Sequence, residues 1–262
     1  MRGLAQNLSF GVRQLRRNPG FTATVIITLA LAIGANTAIF SIVNALMLRS
    51  LPYSHPERIG TIFTQIRGAT ATDERHHISG EQWELLRDNV AALMSAVSGI
   101  RPSGVNLEAA SHVEYIHAAR ISAHYLDILT IHPIIGRNFT ETEDLPNGPK
   151  VAVLSYNLWR NTFASNSQII GQSIRLKGEP YTVVGVLPDG ATTPLNADVY
   201  TAIQASRQGE GAGTNFDCIT RLRDNATWQQ ADAQINSAWL ARKDRYELFD
   251  NPGAKVSYYS VP

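Results

Sequence analysis

Seven histidines and a single cysteine are the residues of this 262-residue chain best suited to metal or nucleophilic chemistry. The imidazoles of His76 and His77 are adjacent and diverge unless the backbone turns between them. His112 and His117 differ in parity along an extended segment, so they face opposite sides of it. No His-Glu-x-x-His run and no paired Cys/His spacing predicts a metal site. Cys218 has no second cysteine to bridge to. In the alternation Phe216, Cys218, Thr220, Leu222 it falls on the apolar face, which predicts a buried, inert thiol. The glycine-rich stretch Gly209–Thr214 lacks the lysine of a phosphate loop and precedes a strand, so it offers an anion no helix N-terminus. No Gly-x-x-x-x-Gly-Lys-Ser/Thr and no Gly-x-Ser-x-Gly occurs, and the acids are too dispersed to nominate a catalytic pair. No catalytic, cofactor-binding or metal residue is assigned, and the chain reads as a non-enzyme.

Charge is more informative through its distribution than through its sum of +1. Residues 1–20 carry Arg2, Arg13, Arg16 and Arg17 and no acid; the first carboxylate is Glu57. The remainder holds 19 basic against 22 acidic residues, a net of −3, so no basic field points to nucleic acid. Between these regions, Phe21 to Leu48 runs without one charge. As a helix it spans roughly 42 Å, against about 30 Å of hydrocarbon, so it reads as a transmembrane helix that crosses with tilt. It is too long for the apolar core of a cleavable signal peptide. Asn18 and Pro19 suit the N-cap and first helical position. The arginines Arg13, Arg16 and Arg17 place the N-terminal flank in the cytoplasm and the bulk of the chain beyond the bilayer. Leu4, Leu8, Val12 and Leu15 form an apolar stripe, which predicts an interfacial helix over residues 1–20. Along the span, Ala30, Gly34, Thr37, Ser41, Asn44 and Leu48 share one face. Small and polar residues in that pattern predict a packing face for other helices, with Gly34, Thr37, Ser41 and Asn44 at its centre.

Beyond Glu57, short strands alternate with helices. Strands are expected over 58–65, 93–100, 113–119, 150–154, 198–203 and 216–223, and a hairpin over 173–187 around Gly178. Ser79 with Gln82 and Thr227 with Gln230 form capping boxes that open two helices, and Ser155 caps a third. A short helix is expected around Tyr125–Leu129. Residues 66–78 and 101–111 read as connections, and 132–149 as irregular. The order of elements predicts an α+β domain interrupted by an insertion.

Several segments resemble the MacB/FtsX-like ABC transporter permease family. They are Asn18-Pro-Gly-Phe-Thr, Thr28 through Asn44, Leu51-Pro-Tyr, Gly136-Arg-Asn-Phe-Thr-Glu141, Val151 through Trp159, Ile169-Ile-Gly171 and Leu176 through Pro188. The nearest branch resembles the duplicated orphan permeases described in acidobacteria. The resemblance implies one transmembrane helix (21–48) followed by a MacB-like periplasmic core domain (49–262). Within that domain it implies a porter-like α/β part (57–111 and 204–262) split by an inserted mixed subdomain (112–203). Because the family continues into three more membrane helices, the chain reads as a truncated N-terminal part. The implied function is a permease-like subunit of a transport, efflux or mechanotransmission complex in the bacterial inner membrane, with its large domain periplasmic. Implied partners are the lipid bilayer, the missing or partner permease helices, a separate cytoplasmic ABC ATPase, and a second copy in a homodimer. Two other readings stand beside it: a membrane-tethered periplasmic hydrolase and a periplasmic binding module.

Overall fold

The structure, a computed structural model, describes residues 13, 15–43, 52–67, 75–109, 112–205, 213, 215–240 and 255–261. The chain divides into two compact units, residues 1–51 and 52–262.

The first unit holds helix α1, Pro19–Val43. Proline opens it without loss of a hydrogen bond, and Thr22 donates its N–H to the Asn18 carbonyl at 3.0 Å. Arg13 and residues 15–17 are helical ahead of Asn18. The remainder of the expected interfacial helix, and residues 44–48 of the expected span, lie outside the described residues.

The second unit is built on one extended sheet. Its elements in chain order are β1 (Ile59–Arg67), β2 (Arg75–His76), α2 (Gly80–Asn89), β3 (Leu93–Gly99), β4 (Ser103–Ala109), β5 (His112–Ile121), α3 (Tyr125–Ile128), β6 (Ile135–Gly136), β7 (Val151–Leu154), α4 (Tyr156–Thr162), β8 (Ser173–Leu176), β9 (Glu179–Val186), β10 (Val199–Ala202), β11 (Phe216–Leu222), α5 (Trp228–Leu240) and β12 (Lys255–Val261). Hydrogen-bonded neighbours run β10-β7-β9-β8-β4-β5-β3-β11-β1-β12, with β2 on β1 and β6 on β9.

This sheet has two differently shaped parts. Strand β10 also pairs in parallel with β5, Val199 opposite Ala118 through Ala202 opposite Ile121. That pairing closes β5, β4, β8, β9, β7 and β10 into a six-stranded circuit. Alternation along each strand sends one residue in two into its interior, where Val105, Leu107, Ile116, Leu154, Leu176 and Val199 form an apolar core. The other part is the antiparallel sheet of β3, β11, β1 and β12. Helices α2 and α5 pack on one face of it, over Ile62, Leu93, Val97, Cys218 and Leu222. Ala96 and Ile219, on the opposite face, join Tyr125, Leu126 and Ile128 of α3 and the outward residues Val151, Val153 and Val184 of the circuit in a further core. Strands β3 and β11 are thus covered on both sides, which explains why their alternation is blurred by apolar residues.

The expected capping boxes form. Ser79 N–H donates to Gln82 Oε1 at 2.9 Å and Gln82 N–H to Ser79 Oγ at 3.2 Å; Thr227 and Gln230 repeat the exchange at 3.0 and 3.3 Å. Ser155 Oγ accepts from Leu158 N–H at 3.2 Å. Segment 101–111 differs from its reading as a connection, because 103–109 is strand β4. It pairs with β5 in register from Ser103 opposite Ala118 to Ala109 opposite His112. A boundary between 111 and 112 therefore falls within a hairpin of the six-stranded circuit.

Candidate functional site

Helix α1 turns its apolar side chains outward: Phe21, Leu31, Ile33 and Phe40 are 63–69% exposed. Gly34, Thr37 and Ser41 lie on this helix and are also exposed, while Asn44 lies outside the described residues. Among the described residues nothing within 4 Å would meet a Cβ on Gly34, so another helix can approach closely there. Thr37 Oγ1 donates to the Ile33 carbonyl at 2.8 Å, and Thr28 does the same to Thr24 at 2.8 Å. The threonine hydroxyls are satisfied inside the helix, as hydrocarbon requires. Thr37 thus offers shape to a neighbour more than a free donor. Arg13, Arg16 and Arg17 are exposed on the turns before Asn18.

In the second unit, the irregular segment between β6 and β7 is organised by side chains. Gly136 sits opposite Gly185 of β9 with φ of +78°. A methyl group on Gly136 would overlap the Val184 carbonyl oxygen and come within 2.9 Å of Gly185 Cα. Arg137 grips Glu143 with two parallel bonds, of 2.8 and 2.7 Å, and Thr140 N–H adds a third to the same carboxylate at 2.8 Å. Phe139 is buried between them in the core shared with α3. From the end of β10, Gln204 donates Nε2 to the carbonyls of Glu143 and Gly148 at 3.0 and 2.8 Å, and its N–H to Asp144 at 2.9 Å. One glutamine thus replaces a strand ladder as the tether of this segment.

Three of the histidines lie beside acids in separate places. His77 Nδ1 lies 2.6 Å from Asp217, His117 Nδ1 3.6 Å from Asp198, and His124 3.3 and 3.1 Å from Asp127 and Glu141. Among the described residues, no three or more histidine, cysteine or acidic side chains are grouped to hold a metal ion. A polar pocket of about 380 Å³ brings Ser155, His117 and Asp198 to one wall. There Ser155 Oγ serves the α4 cap, and His117 with Asp198 is wider than a hydrogen bond, so the nucleophile–base–orienter chain of a serine hydrolase is not assembled. Cys218 is fully buried, and burial raises its thiol above the usual range, as expected for an inert core residue. Most of the glycine-rich stretch 209–214 lies outside the described residues.

Two ionisable groups tie stability to pH. Hydrogen bonds from Arg137, followed by those from Thr140, hold the Glu143 carboxyl down at about 2 against the effect of burial. Its contribution is complete above about 4.5, the unfolded value, and is lost as pH falls toward 2. Asp127 and then Glu141 raise the His124 imidazole to about 9 against burial. Its contribution is complete below about 6.5 and is lost as pH rises through 9. Thermal melting across pH should therefore show the deficit of Glu143→Gln shrinking between 4.5 and 2, and that of His124→Gln vanishing above 9. Deficits that stay constant across pH would show that neither charge stabilises the fold.

Helix α1 is long and apolar enough to cross a membrane, and it precedes an α/β domain. The chain belongs to the family described as MacB-like periplasmic core domain, whose profile matches residues 22–238. Solved structures with the same fold include these three. A domain assigned to a permease protein from Porphyromonas gingivalis has a TM-score of 0.58 at 16% identity, covering 81% of this chain and 92% of that one. The periplasmic region of MacB from Actinobacillus actinomycetemcomitans has a TM-score of 0.53 at 17% identity, covering 76% and 87%. The extracellular domain of the noncanonic ABC-type transporter YknZ from Gram-positive bacteria has a TM-score of 0.54 at 16% identity, covering 78% and 100%. A search of curated protein sequences returns no match.

Proposed function

We propose that the chain is the permease-type subunit of a MacB/FtsX-like complex in the bacterial inner membrane. In this reading a separate cytoplasmic ATPase drives the membrane helices, and α1 passes the movement to the periplasmic domain. The observation that carries it is the extent of the family match, which begins inside α1 at residue 22 and runs into α5. The similarity thus includes the membrane helix along with the domain it anchors. Gly34, Thr37, Ser41 and Asn44 form the face on which partner permease helices or a second copy pack. Arg13, Arg16 and Arg17 hold the N-terminal flank in the cytoplasm. The four-stranded sheet with α2 and α5 is the porter-like part, and the six-stranded circuit is the insertion.

The test is recovery of the tagged chain from native membranes under mild detergent. An ABC-type ATPase should copurify with it, and its ATP hydrolysis should change when the chain is added back. Repeated recovery without any such ATPase, together with unchanged hydrolysis, would overturn the coupling mechanism.

A further inference from the structure

Residues 52–58 follow the membrane helix in the sequence, and Pro52, Ser54, His55 and Glu57 among them are exposed. Their backbone is nevertheless not left to water. Ser54 N–H donates to Thr130 Oγ1 at 3.3 Å, and the Ser54 carbonyl accepts from the Arg221 guanidinium at 2.9 Å. The Glu57 carbonyl accepts from Trp228 Nε1–H at 3.1 Å. Arg58 closes the segment, its guanidinium donating to the carbonyls of Leu222 and Arg223 at 2.9 and 2.6 Å. Tyr53 packs against the core that contains α3. A loop that merely connects two elements is served by solvent. Here side chains from the end of α3, from β11 and from α5 are ordered to hold it, against the rotamer entropy of a long arginine.

The Thr130 contact is made under strain. Thr130 N–H donates to the Asp127 carbonyl and Ile131 N–H to that of Leu126, both at 2.9 Å, the paired bonds that end a helix on a left-handed residue. Glycine is the usual occupant of that position. Thr130 holds it with φ of +57°, a conformation that a β-branched side chain resists. Its hydroxyl donates to the Leu129 carbonyl at 2.6 Å and so turns a lone pair to Ser54 N–H. That acceptor is what glycine would not supply. Arg221 completes the joint. Its Nε donates to the Ile128 carbonyl at 2.7 Å while another nitrogen holds Ser54, so one guanidinium spans the last turn of α3 and the segment. Arg221 itself is fixed in β11, opposite Ile59 of β1.

We propose that residues 52–58 form a clasp, with Thr130, Arg221 and Trp228 as its positioning residues. The clasp fixes the stretch that follows the membrane helix to α3, β11 and α5. Movement arriving along that stretch enters the domain through β11 of the four-stranded sheet and not through the six-stranded circuit. This last step rests on the reading in which α1 passes movement to the domain; the clasp itself does not.

The test follows hydrogen exchange by mass spectrometry on the full chain in detergent micelles. Thr130→Val keeps the β-branch and removes the hydroxyl; Arg221→Met keeps most of the length and removes the donors. Exchange over residues 53–58 should quicken about fivefold in the first and about tenfold in the second, as neutral and charged hydrogen bonds are lost, while peptides of β3 stay unchanged. Thr130→Gly separates two roles. It relieves the left-handed strain and should raise the melting temperature by about 2–4 °C, yet it should also quicken exchange over 53–58. A residue that served only to end α3 would raise the melting temperature and leave 53–58 unchanged. That result, or exchange over 53–58 as fast in the folded chain as in the unfolded one, would overturn the clasp. Should Arg221→Met fail to fold, the two Thr130 variants still decide. In a complex recovered with its ATPase, ATP should alter exchange in β11 of the unsubstituted chain and not of Thr130→Val. An equal change in both would overturn the route through β11. Recovery without an ATPase would remove that route together with the coupling mechanism, and the clasp would stand or fall on exchange over 53–58.

Discussion

Gly136→Ala is expected to destabilise the periplasmic domain by about 4 kcal/mol and to lower its melting temperature by roughly 10 °C. Two effects add. The backbone at Gly136 has φ of +78°, a left-handed conformation that costs a residue with a Cβ about 1–2 kcal/mol. The new methyl also overlaps the Val184 carbonyl oxygen, where rigid backbone leaves no side chain to swing away. Gly171 provides the comparison, since its φ is +84° but no described atom lies within 4 Å of where an added methyl would stand. Gly171→Ala should therefore cost only about 1 kcal/mol. Thermal melting of both variants separates the conformational effect from the collision. Equal losses at the two sites would show that the β6–β9 contact yields more easily than its geometry implies.

Replacing Arg13, Arg16 and Arg17 together with glutamine should move the periplasmic domain to the wrong side of the membrane in a large fraction of molecules. Orientation follows the lysine and arginine bias near the ends of a span, and the substitutions leave Arg2 alone against Arg49 and Arg58 on the far flank. The readout takes advantage of the chain's single native thiol, because Cys218 is fully buried and should stay silent to a surface reagent. Asp224→Cys adds an exposed reporter, its side chain being fully accessible at 101%. A membrane-impermeant maleimide should label it in intact spheroplasts when the arginines are present, and much less when they are absent. Unchanged labelling would show that the domain is exported regardless of the arginines.

Local signals in the sequence account for much of this architecture. The helix starts at Ser79, Ser155 and Thr227 were legible because each cap is completed by a residue three positions on, within a single turn. The hairpin of β8 and β9 is legible through Gly178-Glu179-Pro180, although the turn itself is Lys177-Gly178, both with positive φ, and Glu179 and Pro180 open β9. Strand β4 escaped because Pro102, Gly104 and Asn106 punctuate it and only Val105 and Leu107 point inward. What makes it a strand is pairing with β5 and β8, and Tyr115 lying over Gly104 where a side chain would otherwise stand. Strand β12 escaped for a similar reason, since its place is fixed by β1 nearly two hundred residues earlier in the chain. The junction was less legible still. Gly136 through Glu141 stood out as a family resemblance, but the hold of Gln204 on Glu143 and Gly148 follows no periodicity.

The order in which the chain crosses the bilayer has a bearing on how this sheet is assembled. Strand β1 emerges early, but Ile59 through Ile62 find their partners only when residues 218–221 arrive. Strand β3 meets β5 at Ser98 opposite Ile121, but the rest of its ladder waits for residues 216–222. Meanwhile everything needed to complete the circuit, up to Ala202, has already appeared. Translocation thus favours the later-starting barrel finishing first, while the earlier strands remain open to wrong neighbours until the chain returns.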